Sequence, residues 1–199
     1  MEGPNPIYFF TALVILLSSI SSGAGAARPQ KGNSEEFIRT SCSNTTYPKL
    51  CYTSLSTHAN FIQTSPKLLA RAALSVALNN TRFTSAVMIR LSHSHGLSPR
   101  EAAAMRDCVE EVADSVDELR NSMAEMTQIK GTNFDLMMGD IQTWVSAALT
   151  DDDTCTDGFS GSAMAGKLKS TVRGRIVKVA QLTSNALALI NGYASTFRG

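Results

Sequence analysis

Between residues 65 and 197 the apolar residues of this 199-residue chain return mostly every three, four or seven positions, and no stretch alternates. That is the period of an α-helix, and it leaves no candidate for a half-buried strand. The sharpest stretch opens on Ser98-Pro99-Arg100-Glu101. Ser98 is placed to cap the helix, Pro99 suits the first helical position, and Glu101 completes a capping box. Behind it Met105, Cys108, Val109, Val112, Val116, Leu119, Met123 and Met126 form one stripe. Asp107, Glu110, Glu111, Asp114, Asp117, Glu118 and Arg120 lie on the other face, the ordinary composition of a solvated surface.

Three more helices follow from the same reasoning. Ser65-Pro66 starts one whose stripe is Leu69, Ala72, Ala73, Val76, Phe83, Val87 and Leu91; it runs to about His93, and Gly96 stops it. Gly131-Thr132-Asn133 breaks the chain before a helix over 135–149, striped by Met138, Ile141, Val145 and Leu149. Residues 150–158, with three consecutive aspartates, read as a polar loop. The last helix spans 167–197 along Leu168, Val172, Ile176, Val179, Leu182, Ala186, Leu189, Tyr193 and Phe197. Four long helices with short connections predict an all-α, up-down-up-down four-helix bundle over 65–197. A helical hairpin is expected at 34–57, with Pro48 opening its second arm, after a flexible Pro/Gly-rich lead-in at 27–34.

The first 26 residues are a separate unit. An uncharged apolar run at 7–17 is too short to span a bilayer, and Ala24-Gly25-Ala26 fits the small-x-small pattern before a signal-peptidase cut. The expectation is a signal peptide at 1–26, a mature domain at 27–199, and a secreted protein with no membrane segment after cleavage. In an oxidising compartment an even set of thiols pairs. Spacing favours Cys42–Cys51 as a local clip, which leaves Cys108–Cys155 as a long-range staple. Two N-x-T sequons, at Asn44 and Asn79, suit the same compartment.

Without its leader the chain holds 18 basic and 16 acidic residues, a net charge of +2. That balance argues against nucleic acid as a partner, and against direct binding to an anionic wall polymer, which would want a basic face. No nucleophile elbow, zinc motif, P-loop or dinucleotide fingerprint occurs. His93 and His95, two apart, point to different helix faces. Trp144 and the methionines read as core. The reading is a non-enzymatic monomer with no cofactor and no metal.

Several segments together resemble the plant invertase/pectin methylesterase inhibitor family. They are the Cys42–Cys51 loop with Tyr47-Pro48, Asp107-Cys108-Val109-Glu110 with Asp114 to Leu119, Thr143-Trp144-Val145-Ser146, Thr154-Cys155-Thr156-Asp157-Gly158-Phe159, and Thr183-Ser184-Asn185-Ala186-Leu187. The resemblance covers about residues 34–197. It implies a four-helix bundle with an N-terminal hairpin, first-to-second and third-to-fourth disulfides, and secretion to the cell wall. It also implies one-to-one binding over the active cleft of a carbohydrate-active enzyme. The pectin methylesterase branch is favoured over inhibition of cell-wall or vacuolar invertase. The Pro-Lys-Phe motif of invertase inhibitors is replaced here by Gly131-Thr132-Asn133-Phe134. By motif, the implied target contacts are Glu110, Asp114, Asp117, Thr154 and Asp157.

Overall fold

The computed structural model describes residues 28–160 and 166–198, so the expected signal peptide at 1–26 lies outside the described residues. Helices α1 (Arg28–Ser43) and α2 (Pro48–Leu55) form the hairpin, followed by a 3-10 turn and the single-turn helix α3 (Ala59–Ile62). The bundle consists of α4 (Pro66–Ser92), α5 (Pro99–Gln128), α6 (Phe134–Gly158) and α7 (Lys167–Arg198). Each bundle helix packs on two others, α4 on α5, α5 on α6, α6 on α7 and α7 back on α4, which closes the ring. The predicted architecture is therefore the observed one.

Local signals set the ends of these helices. The Ser65 hydroxyl accepts from the Leu68 N–H at 3.3 Å and caps α4. At the start of α5 the Ser98 hydroxyl accepts from the Glu101 N–H at 3.3 Å, while the Glu101 carboxylate accepts from the Ser98 N–H at 2.9 Å. These bonds to Ser98 hold the Glu101 carboxyl below its usual pKa. Gly96 sits at φ +82°, in the left-handed region that side-chain-bearing residues rarely enter, and so turns the chain from α4 to α5.

The Cys42–Cys51 disulfide ties the two hairpin arms at a Cα separation of 5.6 Å. A second device docks the hairpin on the bundle. The Tyr47 N–H donates to Asn185 Oδ1 at 3.0 Å, and Asn185 Nδ2 donates to the Tyr47 carbonyl at 3.1 Å. Asn185 is buried on α7, so its amide satisfies both polar groups of the hairpin turn. Asn185→Ala is expected to cost about 2 kcal/mol, two hydrogen bonds at about 1 kcal/mol each. Urea unfolding checks the loss, and limited proteolysis should place the first new cuts in the hairpin.

The core divides into two clusters. The larger joins the hairpin to one end of the bundle through Ile38, Leu55, Ile62, Leu74, Met138 and Ile190. The smaller surrounds the Cys108–Cys155 disulfide with Met88, Met105, Val112, Phe159 and Ile176. Of the methionines read as core, Met105, Met126 and Met138 are fully buried.

Five expectations need correction. The lead-in at 27–34 is not a flexible coil, because α1 begins at Arg28. Pro29 falls in its first turn, where no backbone N–H is needed. The segment 150–158 is not a loop, because α6 continues to Gly158. Cys155 faces inward from it to Cys108, and the Thr154 hydroxyl back-bonds to the Thr150 carbonyl at 2.9 Å. Phe83, assigned to a buried stripe, is 60% exposed, and the Arg175 guanidinium lies 5.5 Å over its ring. Phe197 is likewise exposed and stacks on Phe134 at 3.9 Å. Trp144 is half-buried rather than a core residue.

Candidate functional site

The exposed faces of α5 and α6 carry the residues singled out from the sequence. Glu110, Asp114 and Asp117 are spaced four and three along α5, which aligns them in one exposed row. Asp117 differs from the other two because it is paired with Arg120, one turn further on. Thr154 and Asp157 are exposed on α6, on either side of buried Cys155. The disulfide from Cys108 to Cys155 sets the two helices 4.4 Å apart at their Cα atoms, so both surfaces stand on a braced pair.

Beneath this row lies a carboxyl network that sequence reasoning missed. Glu111 and Glu118 of α5 face Asp151 of α6, with Asp114 beside them. Asp152 is fully buried. Among the described residues its side chain receives one hydrogen bond, from the Ser115 hydroxyl to Oδ1 at 3.5 Å, and no donor reaches Oδ2. Burial, then the nearby Asp151 and Asp153 charges, push the Asp152 carboxyl up to about 8. Glu118 is also pushed up to about 8, first by burial and then by the neighbouring Asp151. Burial raises Asp151 and Glu111 as well. Burial thus shifts the seam carboxyls toward their protonated forms, Asp152 and Glu118 furthest.

The missed signal was positional. Asp152 stands seven residues after Val145, four after Ala148 and three before Cys155, squarely on the inward stripe of α6. The three-aspartate run suggested a loop, and that hid the period.

Asn44, at the tip of the hairpin, and Asn79, on α4, are both exposed. Phe134 is buried at the start of α6, edge-on to the Tyr193 ring at 5.5 Å. Among the described residues no helix is long and apolar enough to cross a membrane.

This arrangement has recognisable relatives. The "21 kDa protein" of Daucus carota is 46% identical over 189 residues, 94% of this chain and 93% of that protein. "Pectinesterase inhibitor 11" of Arabidopsis thaliana is 42% identical over 197 residues, 95% of this chain and 98% of that protein. A crystal structure of a mutant form of an Arabidopsis pectin methylesterase inhibitor superposes with a TM-score of 0.64. It shares 24% identity, over 77% of this chain and 95% of that one, and so bears on the fold alone. Residues 36–189 match the family described as "Plant invertase/pectin methylesterase inhibitor", and with the hairpin, the bundle and both disulfides in place the chain belongs to that family.

Proposed function

We propose that this chain is a secreted inhibitor of pectin methylesterase that binds the enzyme one-to-one over its active cleft and so restrains pectin de-esterification in the plant cell wall. The exposed acidic row on the disulfide-braced α5–α6 pair is the observation that carries this reading. A rigid pair of helices presents fixed charges with little ordering cost on binding. Glu110 and Asp114 are the leading contacts, with Thr154 and Asp157 extending the surface on α6. Asp117 contributes less, because Arg120 already neutralises it. Relatives named as pectinesterase inhibitors support the choice of target. Burial of Phe134 supports it too, since a side chain held against Tyr193 is not offered to an invertase active site. The reading includes cleavage after Ala26, a monomeric mature protein, and glycans at Asn44 and Asn79.

Titrating the purified mature protein against pectin methylesterase and acid invertase, side by side, tests the target. Stoichiometric inhibition of the esterase is expected, and inhibition of invertase alone would overturn the proposal. Glu110→Lys/Asp114→Lys is expected to weaken esterase inhibition at least tenfold, about 1.4 kcal/mol of binding. Unchanged inhibition by a folded double variant would place the interface on another face.

A further inference from the structure

On the face formed by α4, α5 and the hairpin tail lies a cleft of about 530 Å³, with a character opposite to that of the acidic row. Arg71 and Arg82 of α4, Arg120 of α5 and His58 of the hairpin tail line it, and no carboxylate does. Arg120 is paired with Asp117, whereas Arg71 and Arg82 make no ion pair among the described residues. Phe61, 47% exposed, forms part of the wall, with the Arg71 guanidinium 5.9 Å from its ring centroid. The near-neutral net charge of the chain is therefore an average over two unlike faces.

We infer that this cleft binds an acidic polysaccharide, specifically a stretch of de-esterified polyuronate. Each element has a matching group on such a chain. Arginine forks hold carboxylates through paired N–H donors, and a half-exposed aromatic ring offers a flat apolar surface to the C–H face of a sugar. The volume falls within the range of about 300–1,000 Å³ common for ligand clefts. Arg71 and Arg82 stand eleven residues apart on one face of α4, roughly 16 Å along its axis, which suits an oligomer rather than a single sugar. The choice of uronate among acidic polymers rests on the proposed esterase target, whose product carries free carboxylates; binding itself requires no esterase. The inhibitor would thereby be held where its target has already worked.

Asn79 also lines the cleft, so the glycosylated mature protein and its deglycosylated form are both titrated, and binding confined to the deglycosylated form would overturn the inference. Calorimetric titration at low ionic strength with a de-esterified oligogalacturonide should show binding that weakens as salt is added. The same oligomer in its methyl-esterified form should not bind. Arg71→Ala/Arg82→Ala should lower affinity at least tenfold while circular dichroism stays unchanged, because both side chains are exposed. Phe61→Leu keeps every charge and should lower affinity several-fold. Equal binding of the esterified oligomer, or full binding by the arginine double variant, would overturn the inference. So would equal affinity for polyglutamate, which would mean undirected attraction of any polyanion. Loss of esterase inhibition with unchanged oligomer affinity would assign the cleft to the enzyme instead. Esterase inhibition is assayed separately, so failure of either reading leaves the other measurable.

Discussion

Folding stability should fall as pH rises from 5 to 8, and Asp152→Asn should remove most of that slope. The sign follows from where the proton sits. An ordinary aspartate releases its proton near pH 4, whereas buried Asp152 keeps its own up to about 8. Between those values the folded state binds a proton that the unfolded state has lost. Stability is therefore fully present below the unfolded value and is lost as pH rises through the folded one. One such group contributes up to ~1.4 kcal/mol per pH unit, a ceiling of about 4 kcal/mol between pH 5 and pH 8. Among the described residues no cation relieves the charge: the groups acting on Asp152 are Asp151, Asp153, Glu118 and the Ser115 hydroxyl. The amide that replaces the carboxyl in Asp152→Asn keeps its shape and stays neutral at every pH. Glu118 adds to the slope with the same sign, but solvent reaches more of it, so Glu118→Gln should flatten the curve less. Urea midpoints at unit pH steps, for the parent and both variants, provide the measurement. A parent curve flat between pH 5 and 8 would show that the seam holds no such protons.

Replacing both Cys108 and Cys155 by serine should be the most damaging change to the fold at any pH. The loop they close spans 47 residues, and in the chain-entropy picture its closure is worth about 4 kcal/mol. The hairpin disulfide closes only nine, for a corresponding value of about 3 kcal/mol. For a domain of this size a loss of about 4 kcal/mol lowers Tm by roughly 10 °C. The damage should also be local. The smaller core cluster is built around this disulfide, and residues 151–158 close α6 beside it. Amide exchange in the double variant should therefore rise first in 151–158, while protection in the hairpin-side cluster persists. Uniform loss of protection would mean that the two clusters unfold as one.

The helices were legible because their signals are local. Ser65-Pro66 and Ser98-Pro99-Arg100-Glu101 cap the starts they were expected to cap, and Gly96 turns the chain where only a residue tolerant of positive φ fits without strain. The stripes of α5 and α7 describe the buried faces closely, since an amphipathic helix has one way to hide its apolar side. Local pattern failed where distant residues outvoted it. Residues 150–158 read as a loop because three aspartates dominate the segment, yet Cys108 on another helix holds it in the bundle. Phe83 read as core because its spacing fits, but the bundle closes on Thr81 and Thr84 and leaves the ring to Arg175.

The same division holds for the surface. By itself the sequence determined a four-helix bundle with a hairpin, two disulfides and an acidic row on one helix, because caps, periodicity and cysteine spacing act within a few turns of chain. The tertiary structure alone decided that Asp152 is buried, which raises its carboxyl pKa, that Asp117 is paired with Arg120, and that Arg71, Arg82 and Phe61 share a cleft. Charge and burial are properties of neighbours in space, and a linear count of 18 basic and 16 acidic residues averages them away.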